Sequence, residues 1–181
     1  MNWNRRDFVQ AGLYATGLIS FTPELGWPLK IANNEKTKDR AASSSPNLSD
    51  WEEKIVLALQ HEHGAIVQYI NHSGKLKASG LTEQSQKFQS IIHDEVAHAQ
   101  TLVHILAARG VEPTLAVWPP NTDNDTKTML KQDVAAEQGA IALYQEILKN
   151  DLDADTYKKI HVMLKQEIAH KKLLDALLRT V

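Results

Sequence analysis

The 181-residue sequence contains no cysteine. Disulfides, thiolate zinc sites, a cysteine nucleophile and iron–sulfur clusters are thereby excluded. Any tightly held metal must use histidine and carboxylate ligands, a donor set that suits iron, manganese or zinc. An excess of charge of one sign is missing as well: 20 Lys and Arg face 22 Asp and Glu, a formal net charge of -2. Without a long basic run, the chain does not read as a nucleic-acid binder. No stretch alternates apolar and polar residues as a half-buried strand would, so an all-α domain is expected. What the chain does have is histidine, eight in all.

The N-terminus forms a separate object. Arg5-Arg6-Asp7-Phe8 precedes the mildly apolar run 11–21. Paired arginines before a short apolar stretch are the pattern of an export signal, and this pair followed by Phe8 resembles the twin-arginine motif. The run is too short to cross a bilayer as an ordinary transmembrane helix. Residues 1–29 are therefore expected to engage the twin-arginine export machinery and to direct the chain to the periplasm or another extracytoplasmic space. No clean small-x-small cleavage site follows, so an uncleaved segment would tether the protein to the membrane. Residues 30–50, polar and containing Pro46, read as a flexible linker.

From residue 51 to 181 the apolar period is helical. Ile55, Leu59, Ile66 and Tyr69 share one side of a first helix expected to end near Ser73-Gly74. A second, capped by Thr82, carries Phe88, Ile91, Ile92, Leu102 and Ile105 to a stop at Gly110. A third starts near Asp125-Thr126 and runs to about Asn150, and a fourth runs from about Asp153 to the end. Short turns join helices one and two, and three and four, so each pair should be an antiparallel hairpin. The long connection between the hairpins, with Pro113, Pro119 and Pro120, can run the length of a bundle.

The two hairpins repeat one another. Helix one reads Glu62-His-Gly64-Ala65-Ile66-Val-Gln-Tyr69 and helix three Glu137-Gln-Gly139-Ala140-Ile141-Ala-Leu-Tyr144, both E-x-G-A-I-x-x-Y. Helix two then offers Glu95-Val96-Ala97-His98, and helix four Glu167-Ile168-Ala169-His170. Positions i and i+3 of a helix lie on nearly the same face, so each Glu-x-x-His pair aims a carboxylate and an imidazole into one space. Composition alone yields roughly half of one such match by chance, so the motif carries little weight by itself. The register carries more, because each match stands in the second helix of a hairpin whose first helix holds the repeated Glu. A duplicated hairpin with a pseudo-two-fold axis would gather Glu62, Glu95, His98, Glu137, Glu167 and His170 around two metal ions. Four carboxylates buried together would repel and take up protons, and two divalent cations neutralise that charge.

Residues 51–178 resemble the ferritin-like superfamily, and most of all the bacterioferritins. The segments around Glu62 with Tyr69, and Asp94-Glu95-Val96-Ala97-His98-Ala99, are similar to that family's first- and second-helix ligand motifs. The resemblance implies a ferritin-like four-helix bundle in which Glu95 and Glu167 bridge two iron ions. Glu62 with His98 would complete one position, and Glu137 with His170 the other. It further implies that Tyr69 lies near the metals as a hydrogen-bond donor or electron source. Tyr144 occupies the repeat-equivalent place, and Asp94 could orient a ligating imidazole. His61, His63, His93, His104 and His161 lie off the ligand register, mostly as surface residues, with His63 or His93 a candidate for an entry path. Val96 stands where bacterioferritins place the haem-ligating Met, so no haem is expected. Little chain follows His170, which argues against the extra C-terminal helix of the cage-forming members; a homodimer is the assembly left open.

The activity implied is oxidation of Fe(II) by O2 or hydrogen peroxide, as ferroxidase or peroxide scavenger. A manganese catalase-like enzyme and a non-catalytic extracytoplasmic iron-sequestering protein are the alternatives left open.

Overall fold

The computed structural model describes residues 48–181, so the expected export signal over 1–29 and most of the linker lie outside the described residues. The last residues assigned to that linker already belong to the domain. Leu48 packs on the core, Ser49 caps the first helix, and Asp50 begins it.

Four helices make up the described chain: α1 (Asp50–Ala78), α2 (Thr82–Ala108), α3 (Thr126–Ile147) and α4 (Ala154–Leu178). Among the described residues there is no strand, and no helix is long and apolar enough to cross a membrane. Local chemistry sets the helix starts. Glu52 accepts from the Ser49 backbone N–H at 2.8 Å and from the Ser49 hydroxyl. Asp125 and Asp153 accept from the N–H of Thr128 and Thr156. Each backbone N–H bonded in this way is a donor that the helix start leaves without a partner in the helix. The Glu52 carboxylate also accepts from Arg109 at the end of α2, whose guanidinium lies 4.5 Å over the Trp51 ring.

The first helix runs past its expected end. Gly74 sits inside α1, where its cost of about 1 kcal/mol is outweighed by burying Leu76 further on. The stop is Gly80, with φ of 81°. Its N–H reaches Lys77 and that of Leu81 reaches Leu76, a C-terminal lock that Gly110 repeats with φ of 73°. Because Leu81 belongs to that lock, Thr82 is the first residue of α2 rather than its cap. At the end of α3 the Asn150 amide donates to the carbonyls of Glu146 and Ile147, closing the helix three residues early.

Two apolar layers fill the bundle. One gathers Ile55, Leu59, Leu102, Leu106, Ile147 and Ile160, the other Leu76, Phe88, Ile91, Met129, Leu130 and Leu174. α1 and α4 pass from the first layer to the second, and α2 and α3 run the other way. Each hairpin is therefore antiparallel, and the crossover between α2 and α3 must travel the whole bundle. It is laid along α1. Trp118 N–H donates to Gln60 O at 2.8 Å, His63 Nδ1 to Ala116 O at 3.0 Å and Asn121 N–H to Gln68 Oε1 at 2.7 Å, while Lys75 reaches Asp123 O. Gly64 is required by this approach. A Cβ there would stand 2.5 Å from the Trp118 carbonyl oxygen.

Candidate metal centre

Between the two apolar layers every helix turns a carboxylate inward. Glu62 comes from α1, Glu95 with His98 from α2, Glu137 from α3, and Glu167 with His170 from α4. The four Glu are each 1% exposed, His98 2% and His170 6%. Buried ionisable groups at this density are tolerated only when paired or neutralised.

The six form two interlocking quartets. Glu62, Glu95, His98 and Glu167 bring ligand atoms within 4.8 Å of one another, as do Glu95, Glu137, Glu167 and His170. Glu95 and Glu167 belong to both. His98 Nδ1 lies 3.0 Å from Glu95 Oε2, 2.8 Å from Glu167 Oε1 and 3.9 Å from Glu62 Oε2. His170 Nδ1 lies 3.1 Å from Glu95 Oε1 and 3.8 Å from Glu137 Oε2. Glu62 Oε2, Glu95 Oε1, Glu137 Oε2, Glu167 Oε1 and His170 Nδ1 are buried without a hydrogen bond of acceptable geometry. These donor atoms, five lone pairs facing one another, fit a pair of cations.

The outward ring nitrogens are held from behind. His170 Nε2–H donates to Asp94 Oδ2 at 3.1 Å, and His98 Nε2–H donates to Gln166 Oε1 at 3.2 Å. Both bonds leave Nδ1 as the inward-facing atom. Asp94 therefore takes the place expected for it. Gln166 was legible by the same logic, because it precedes Glu167 as Asp94 precedes Glu95.

The tyrosines cross between repeats. Tyr69 donates to Glu137 Oε1 at 2.6 Å, and Tyr144 donates to Glu62 Oε1. Burial, then the charge of the accepting carboxylate, raises both phenols well above their usual range, so they remain hydroxyl donors.

Electrostatics reflect the crowding. Burial and mutual repulsion push the carboxyls of Glu95, Glu137 and Glu167 up, Glu167 to about 8. Burial would raise Glu62 too, but His98 beside it holds it at about 2. Burial would lower His98, yet the carboxylates of Glu167, Glu62 and Glu95 around it win and raise it. In the absence of cations the cluster keeps protons in their place.

Of the histidines off the ligand register, only His61 departs from the expected surface placement. His61 is buried at 8% exposed, and burial lowers its imidazole, so it is no surface residue. His63 holds the crossover, His93 lies exposed, and His161 stacks on Tyr157. His72, which no motif singled out, is fully buried and 2.8 Å from Asp133.

A family model described as Ferritin-like domain matches residues 52–181. The chain belongs to the ferritin-like family. This ferritin-like chain has no match in sequence among curated proteins. Its fold is similar to a bacterioferritin from Rhodobacter capsulatus, solved with a metal-free dinuclear site and a haem iron. The two share 22% identity over 72% of this chain and 84% of that one, with a TM-score of 0.67. At that identity the likeness speaks to the bundle alone.

Proposed function

We propose that this ferritin-like protein holds two iron ions in a dinuclear carboxylate centre and oxidises Fe(II) with O2 or hydrogen peroxide. One observation carries the reading: two four-residue donor sets that share Glu95 and Glu167. Glu62 with His98 would complete one metal position and Glu137 with His170 the other. Bound there, iron supplies the one-electron chemistry that no side chain of this chain offers. The protein's own part is to bind, orient and exclude water. Glu95 and Glu167, common to both donor sets, would offset the charge of the bound ions, Asp94 and Gln166 fix the imidazoles, and the apolar layers close both ends. Tyr69 and Tyr144 hold a proton at their hydroxyl oxygens and orient the carboxylates of Glu137 and Glu62.

Val96 follows Glu95 on α2 and offers no ligand atom, so the purified protein should carry no haem and show no Soret band. The Arg5-Arg6-Asp7-Phe8 segment supports export in a folded, metal-loaded form. Replacing both arginines with Lys should then retain the protein in the cytoplasm, as read by cell fractionation.

The test of function is anaerobic Fe(II) loading followed by either oxidant. Two Fe(II) per chain should bind and oxidise faster than Fe(II) in buffer. Binding without acceleration would leave only a sequestering role, and manganese in protein from its native compartment would overturn the iron reading.

A further inference from the structure

The pseudo-two-fold that relates the metal ligands fails one helical turn away. In the register that matches Glu62 to Glu137, Gln68 corresponds to Leu143, His72 to Ile147 and Asp133 to Ala58. The second member of each of the first two pairs, and Ala58, is an ordinary core residue, at most 9% exposed. The other three form a buried polar trio. Gln68 Nε2 donates to Asp133 Oδ1 at 2.8 Å, and His72 Nδ1 lies 2.8 Å from the same oxygen. Asp133 and His72 are 0% exposed, and Gln68 is 4% exposed. Asp133 Oδ2 and His72 Nε2 have no hydrogen-bond partner. Two donors converge on Oδ1, and although burial pushes the Asp133 carboxyl up, the hydrogen bonds from His72 and Gln68 oppose that shift and favour the carboxylate.

This carboxylate has a definite side. Asp133 precedes Glu137 by one turn of α3, and His72 follows Tyr69 by one turn of α1. Tyr69 in turn donates to Glu137. The trio thus flanks the Glu137–His170 position, while the Glu62–His98 position faces Ala58, Leu143 and Ile147. Asp94, bonded to His170, adds a second acid on the same side.

We infer that the Gln68–His72–Asp133 trio makes the two metal positions unequal, so that a divalent cation fills the Glu137–His170 position first. The inference rests on the dinuclear reading above. Asp133 acts at a distance as a positioning charge, fixed by Gln68 and His72, and touches no metal itself. A buried charge about two helical turns or less from a divalent ion is enough to change affinity tenfold or more.

The experiment uses the full chain, stripped by chelator, and Co(II) as the probe, followed by its visible ligand-field absorption under anaerobic conditions at one pH. His98→Ala leaves the Glu137–His170 position intact, and His170→Ala leaves the other. The first variant should bind Co(II) at least about tenfold more tightly than the second. Asp133→Asn keeps the acceptor for Gln68 and removes the charge, which Asp94 does not replace. In that background the ratio between the two variants should shrink about tenfold. The triple change Gln68→Leu, His72→Ile and Asp133→Ala, which copies the apolar half, should shrink it further. Equal affinities of the His98→Ala and His170→Ala proteins would overturn the inference, as would an unchanged ratio in Asp133→Asn. Failure of the unaltered protein to bind Co(II) would overturn the dinuclear reading itself.

Discussion

The Tyr69 hydroxyl, on α1, donates to Glu137 Oε1, on α3, at 2.6 Å. The same position of the other repeat returns the bond, since Tyr144 of α3 donates to Glu62 of α1. Each E-x-G-A-I-x-x-Y segment therefore supplies a carboxylate to the centre and the hydroxyl that orients its counterpart's carboxylate. Tyr69→Phe leaves a buried carboxylate oxygen without its donor. The metal-free protein should lose about 1–3 kcal/mol of stability, measured by urea unfolding. Tyr144→Phe should cost a similar amount, and no loss in either variant would contradict the exchange.

The imidazoles offer a second check. Asp94→Ala frees His170 Nε2, and Gln166→Ala frees His98 Nε2. Each change should weaken metal binding about 10–100-fold at the position its histidine serves. Competition with a chromophoric chelator measures this, and unchanged affinity would show that the outer bonds do not orient the rings.

The metal-free protein should become less stable as pH rises. Glu167 titrates at an ordinary value of 4.5 unfolded and about 8 folded, and burial with repulsion raises Glu95 and Glu137 in the same direction. Between those values the folded state binds more protons than the unfolded one, so stability falls with increasing pH. His98, also raised, adds to the trend above its ordinary 6.5, while Glu62, held at about 2, raises stability with pH only up to its ordinary 4.5, below this window. Thermal unfolding should drop by roughly 5 °C or more from about pH 5 to about pH 8. Saturating metal should remove the drop, and uptake near neutral pH should release protons, read by calorimetry in buffers of different ionisation enthalpy.

Two glycines of one helix should respond with opposite sign. Gly64→Ala drives a Cβ against the Trp118 carbonyl oxygen, a backbone atom of the crossover, and should destabilise by about 1–3 kcal/mol. A Cβ at Gly74 would meet nothing within 4 Å, so Gly74→Ala should stabilise by about 0.5–1 kcal/mol. Denaturation midpoints of the two variants decide it.

The bundle was legible because amphipathic period, caps and loop length are local quantities. Asp125 and Asp153 announce their helices through bonds to residues three further on. The six inward ligand candidates were legible because duplication wrote them twice in register. Gly74 misled because a propensity cost of about 1 kcal/mol is small beside the burial of Leu76.

What the sequence determined by itself was therefore the periodic part: four helices, two hairpins, and carboxylates and imidazoles on inward faces. The tertiary structure decided which partners meet across helices. That Tyr69 serves Glu137 rather than Glu62, that Gly64 yields to a loop, and that His72 finds Asp133 in the core all depend on contacts between distant segments. Such contacts leave no period in the chain, because the residues that make them are brought together only when the apolar layers close.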